Sequence, residues 1–199
     1  MLNGVVTLTT RWALVSVNTI GMKILVLGGD EMLNDYPPES IWLVNGIGSV
    51  GPPYERQKVY NQYKEKGYRF ESIVHPSAII ARDVALKEGV QVMAGTVLQA
   101  GTSIGVNTII NTKVSIDHDC EIGAHVHLAP GVTLSGGVKV GDGSHIGTGA
   151  NIVQGIQIGR GAFVGAGSLI VHHLPDWANV RAAPAAEKLM TRVRKRDSL

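Results

Sequence analysis

From Val74 to Ile170, every sixth residue is Val, Ile or Leu, seventeen in succession with no insertion. The residue four places after each is small or β-branched, from Ala78, Val84 and Val90 through Thr96, Thr102, Thr108 and Cys120 to Ser168. An α-helix has no use for such a period, because its apolar stripe recurs at three, four and seven. A fixed period held for almost a hundred residues is an internal repeat and decides the fold class. Gly often follows the branched residue (Gly105, Gly123, Gly141, Gly147, Gly159, Gly165), at a position where a Cβ is expected to be unwelcome.

The period matches the hexapeptide-repeat, left-handed parallel β-helix. In that fold each hexad is one short strand and a corner, and three hexads make one triangular coil. The branched and small side chains point inward and stack on their equivalents in neighbouring coils. The left hand is taken from the resemblance, since the usual preference is for right-handed crossovers. Coils about 4.8 Å apart give a prism about 25 Å long. Cys120 then occupies an inward, small-residue position and is read as packing.

The expected architecture is mainly β, with a small truncated Rossmann-like α/β segment ahead of the β-helix. Residues 24–27 and 41–45 read as buried strands, and 54–66 as an amphipathic helix with Val59, Tyr60 and Tyr63 inward. The division is 1–72 for the α/β segment (1–20 unassigned), 73–171 for the β-helix, and 172–199 for a turn, helix and basic tail. With 25 Gly and only two Phe, the core must be narrow. A net charge of +2 without a basic stripe gives no support for a nucleic-acid partner. A single Cys excludes an internal disulfide framework and fits a reducing compartment. No long apolar run and no basic-then-apolar leader is present, so the expectation is a cytoplasmic protein without a membrane span.

Within the repeat, SIDHDCEIG (115–123) sets His118 between Asp117 and Asp119. One reading is a solvated turn. The other is a general base with an orienting carboxylate, which suits acyl transfer to an amine or hydroxyl: a neutral imidazole takes the proton that the acceptor loses. The coil rule places Gly136 beside His118 and Gly137 beside Asp119. It also stacks His127 on His145, expected on a corner close to the same region. Cys120 points inward and no Ser is suitably placed, so direct attack is expected rather than a covalent intermediate. His125-x-His127 alternates across a strand and His172–His173 are adjacent; neither has strong ligand spacing, and no metal is expected.

The blocks HPSAIIA (75–81), IINTKVSIDHDCEIG (109–123), HLAPGVTLSGGVKVG (127–141) and FVGAGSLIV (163–171) resemble the hexapeptide-repeat sugar acetyltransferases of the NeuD/PglD type. That family includes sialic acid O-acetyltransferases and N-acetyltransferases of nucleotide-linked 4-amino sugars. The resemblance implies His118 as general base, Asp119 as its orienting carboxylate, and Asp117 at a further acidic position. It places Asn111 and His127 along the acceptor and acetyl site, and Gly136, Thr148 and Ala166 against acetyl-CoA. It implies a homotrimer with sites between neighbouring prisms.

Two features depart from the family pattern. The G-x-G-G-H-G turn that opens the family's nucleotide-sugar domain is absent, leaving Gly48 and Ser49 as acceptor candidates. In AAPAAEK (182–188), Ala182 and Ala186 replace the usual Gly and basic residue, so Lys188 or the 192–196 tail is a candidate for the CoA phosphates. The function expected is acetyl-CoA-dependent N-acetylation of a nucleotide-linked 4-amino sugar in surface-glycan biosynthesis. The alternatives are O-acetylation of sialic acid or a related nonulosonic acid, a metalloenzyme, and an inactive trimeric β-helix that lacks the acceptor-binding turn.

Overall fold

Three parallel sheets of two-residue strands form the body of the molecule, each strand paired with the strand eighteen residues on. A computed structural model describes residues 4–8, 15–17, 24–26 and 30–181. The first sheet begins at Ile73–Val74 and includes Ile109–Ile110, His127–Leu128, His145–Ile146 and Phe163–Val164. The second runs from Ile79–Ile80 through Ser115–Ile116 to Leu169–Ile170, and the third from Ala85–Leu86 through Glu121–Ile122 to Gln157–Ile158. The chain visits the three in turn, making a parallel β-solenoid of about six turns.

Period-two alternation within each strand sends one side chain out and the next into the core, as with exposed Glu121 and buried Ile122. Ile116, Leu128, Leu134 and Ile146 are buried to within 1 % of full exclusion. Each such side chain contributes about 1.5–3 kcal/mol by leaving water. From Val90 on the small-residue column is buried too, and its hydroxyls find acceptors except at Ser168: Thr102 donates to the Asp117 carbonyl at 3.2 Å and Thr108 to that of Gly123 at 2.8 Å. The glycine rule has a steric cause, since a Cβ on Gly147 would lie 2.5 Å from the Ala166 nitrogen in the next coil.

Ahead of the solenoid lies a five-stranded sheet of β1 (Gly4–Leu8), β2 (Val15–Val17), β3 (Ile24–Val26), β4 (Ile41–Asn45) and β5 (Arg69–Phe70), in the order β3-β2-β1-β4-β5. β4 and β5 are parallel, joined through helix α1 (Tyr54–Glu65). Pro53 precedes the helix, Glu55 and Lys64 complement its dipole, and Gly67 at φ 87° ends it. Its inward face is Arg56, Tyr60 and Tyr63, with Val59 only half-buried. Tyr60 packs on Phe70 at 4.6 Å between ring centroids and on the solenoid's His125 at 5.4 Å.

After Ile170 the chain leaves the eighteen-residue register but stays on the solenoid: Asn179–Val180 joins the first sheet, pairing with Phe163–Val164 at an offset of sixteen. Ala182, Ala186, Lys188, the basic tail and the expected C-terminal helix lie outside the described residues. Among the described residues no helix is long and apolar enough to cross a membrane.

Candidate active site

His118 follows the second-sheet strand Ser115–Ile116 and precedes the third-sheet strand Glu121–Ile122, so it stands on the corner between those sheets. Its Nδ1 lies 2.9 Å from Asp119 Oδ2. The carboxylate is an acceptor, so Nδ1 carries the proton and Nε2 presents its lone pair. Asp119 reaches the ring because its own backbone is left-handed, at φ 58°. Asp117 Oδ1 accepts from the His118 backbone N–H at 2.8 Å, which fixes the turn. The bond to Asp119, with the nearby charges of Asp117 and Asp119, raises the pKa of this exposed imidazole above its ordinary value, against a smaller desolvation effect.

Gly136 lies where the coil rule expects it. A Cβ there would come within 2.5 Å of His118 Nε2, so only glycine leaves the ring in place. Gly137 donates its N–H to the His118 carbonyl at 2.8 Å.

His127 and His145 do not share that corner, which corrects the expectation from coil arithmetic. They stand on the strands of the first sheet, buried, with ring centroids 5.0 Å apart; Phe163 stacks on His145 from the next coil at 5.4 Å. The corner between the second and third sheets faces away from the first sheet across the core. One chain therefore carries two separate groups. The reason is geometric: a separation of nine residues, as between His118 and His127, is half a coil.

The second group is hydrogen-bonded as a unit. Thr112 donates its N–H to Asn111 Oδ1 at 2.7 Å, which leaves Asn111 Nδ2 facing His127 Nε2 at 3.3 Å. The His127 proton then sits on Nδ1 and is donated to Ser49 Oγ at 2.7 Å. Burial, followed by the charges of His145 and Arg56, pushes the His127 pKa down to about 4, so the ring is neutral at physiological pH. His145 is also held below its ordinary value by burial; the Gly51 backbone opposes this, yet no group among the described residues completes a hydrogen bond to its Nδ1. Ser49 belongs to the loop after β4, where Gly48, Ser49, Val50, Pro52 and Tyr54 line a cleft of about 280 Å³.

Thr148 and Ala166 stack on the corner between the first and second sheets, the Gly167 N–H donating to the Thr148 carbonyl at 2.8 Å. They accompany the His127 group, whereas Gly136 accompanies His118. A larger groove of about 530 Å³ on the third sheet, with Glu121, Lys139 and Arg160 on its walls, contains none of these residues. Among the described residues no set of three or more His, Cys, Asp or Glu could hold a metal. Reading the sequence missed Arg56, the buried cation beneath the Ser49 loop; its place four and seven residues before Tyr60 and Tyr63 was the available signal.

PerB from Caulobacter crescentus, solved in complex with CoA and GDP-perosamine, is similar to this chain at 37 % identity and a TM-score of 0.75, covering 83 % of this chain and 79 % of its own. The acetyltransferase domain of PglB from Neisseria gonorrhoeae FA1090 is similar at 33 % identity and a TM-score of 0.74, covering 79 % and 76 %. The chain belongs to the hexapeptide-repeat sugar acetyltransferases. WeeI from Acinetobacter baumannii AYE, at 24 % identity and a TM-score of 0.74, shares the fold over 83 % of this acetyltransferase and 79 % of its own chain. No family model matches the sequence, and no curated protein does. The PglB domain has also been solved in complex with acetyl coenzyme A.

Proposed function

We propose that this sugar acetyltransferase transfers the acetyl group of acetyl-CoA to the amino group of a nucleotide-linked 4-amino sugar, in surface-glycan biosynthesis, with His118 as general base. The observation that carries the proposal is the His118–Asp119 bond with Nε2 left open above Gly136. The amine nitrogen attacks the thioester carbonyl, and its proton passes to His118 Nε2. Asp119 holds the tautomer and stabilises the imidazolium, with Asp117 adding negative charge. The Gly136 N–H stabilises the tetrahedral oxyanion. The C–S bond then breaks and CoA leaves as thiolate.

The separation of the two groups supports a homotrimer. The His118 corner of one prism meets the Asn111–His127 face of the next, so Gly136 approaches acetyl-CoA from one subunit and Thr148 and Ala166 from the other. In this reading the coil is left-handed, the solenoid (73–171) is the catalytic part, and 1–72, through Gly48 and Ser49, holds the acceptor. A nucleotide-linked acceptor and the single buried Cys120 fit a cytoplasmic location.

The test is a thiol-release assay with acetyl-CoA and a panel of UDP- and GDP-linked 4-amino sugars, with free and CMP-linked sialic acids alongside. Turnover confined to one amino sugar supports the reading. Turnover confined to a sialic acid replaces it with O-acetylation. Acetyl-CoA binding without turnover on any acceptor favours the inactive solenoid.

A further inference from the structure

Among the described residues, Arg56 is a cation without a counter-ion. It is 1 % exposed, and burial alone accounts for its lowered pKa of about 9, so it stays charged at neutral pH. A buried, unpaired charge is expensive, and an apolar side chain of similar shape normally serves stability as well or better. The guanidinium must therefore be kept for something other than packing. The donors that are bonded go to backbone carbonyls: Nη1 to Asn45 and Ile47 (2.9 Å for the latter), and Nε to Asn107 at 3.0 Å. Nη2 is buried with no partner among the described residues.

Those three carbonyls join two parts of the molecule. Asn45 ends β4 and Ile47 begins the loop that carries Ser49, whereas Asn107 lies on a solenoid corner in the left-handed conformation, at φ 56°. The Asn45 side chain closes the same junction, Nδ2 donating to the Arg56 carbonyl at 2.9 Å and to Asn107 Oδ1 at 3.2 Å. Gln91 adds a bond from its Nε2 to the Asn45 carbonyl at 2.7 Å. Two residues beyond Ile47, Ser49 accepts the His127 Nδ1 proton.

We infer that Arg56 is a positioning residue for His127: it clamps the start of the Ser49 loop to the solenoid, so that Ser49 and Asn111 together fix the His127 ring and tautomer. The functional consequence rests on the reading that His127 lines the acetyl-transfer site; the structural part does not. The charge acts in the same direction as the clamp. Around His127 the charged or titratable groups are Arg56 from α1 and His145 from the neighbouring strand, and both disfavour a proton on His127.

The test is nitrogen-15 NMR of the histidine rings in the full chain, in wild type, Arg56→Met, Arg56→Lys and Ser49→Ala. In the wild type His127 holds one Nδ1–H signal between about pH 5 and 8. In folded R56M that signal should broaden and the His127 midpoint rise above about 4, because the loosened loop relieves part of the burial that chiefly lowers it and the smaller effect of the Arg56 charge is gone. R56K keeps the charge but not the fork, so the Nδ1–H signal should weaken while the midpoint moves less. S49A should reproduce the loss of the signal with Arg56 intact. Acetyl transfer by R56M should fall about tenfold in kcat/KM, the scale of one hydrogen bond.

A folded R56M with wild-type His127 shifts overturns the inference, whatever it does to the melting temperature. If R56M does not fold, a wild-type Nδ1–H signal in either R56K or S49A overturns it equally. Full activity in His127→Ala, with His127 still disturbed in R56M, removes the functional reading and leaves the positioning role standing.

Discussion

The α-carbon of Gly136 lies beneath the His118 imidazole, close enough that a Cβ would meet Nε2 at 2.5 Å. Gly136→Ala should therefore displace the ring rather than the coil. Turnover should fall by about 10–10²-fold, the scale for an ångström of misplacement at a reacting group. Steady-state rates beside a thermal melt check this; the melt should be nearly unchanged.

Asp119→Asn separates charge from shape. Asn tolerates the left-handed backbone that Asp119 adopts at φ 58°, where Ala is strained. As the proposed base, His118 must be neutral to act, so the rate should rise with pH through its pKa. The hydrogen bond to Asp119 is the largest cause holding that pKa above 6.5. The substitution should thus shift the acidic limb of the kcat profile to lower pH while lowering its plateau. A pH–rate profile of both proteins measures the two effects separately.

Much of this was legible in the sequence because the repeat is unbroken. Once Val74 to Ile170 share one register, residue n lies beside n ± 18, and Gly136 falls beside His118 without further information. The same arithmetic stacked His127 on His145 correctly, and the nine residues between His118 and His127, half a coil, already set that pair on another face; grouping all three on one corner overlooked this spacing. The Arg56 junction was opaque for another reason. A helix stripe is read from apolar residues, and an arginine buried on three carbonyls breaks that rule. Asn179–Val180 was missed because its offset of sixteen abandons the period while its pairing continues.

The separation of His118 from His127 gives a third prediction. His118→Ala and His127→Ala should each be poorly active alone. Unfolded together in equal amounts and refolded, they should in the proposed homotrimer regain about a quarter of the wild-type sites, since one site in four draws each intact residue from a different neighbour. Activity of the mixture, against each variant refolded alone, is the measurement. No recovery means that both residues serve a site within one chain, or that one is dispensable.

The core and the surface of the solenoid should respond differently. Ile116→Ala, at a fully buried position beside the His118 corner, should cost about 2–5 kcal/mol by leaving a cavity. Glu121→Ala removes a bond of 2.7 Å to Lys139, but both side chains are more than half exposed, so the cost should be about 0–1 kcal/mol. Chemical denaturation of the two variants distinguishes these magnitudes.

The most direct test of the catalytic claim is thiol release by His118→Ala under saturating acetyl-CoA and acceptor, with folding and assembly verified by circular dichroism and sedimentation. A lost general base predicts a fall in kcat of about 10²-fold or more. A loss of less than about threefold, with the assembly intact, would contradict His118 as the base and return the Asp-His-Asp corner to a solvated turn.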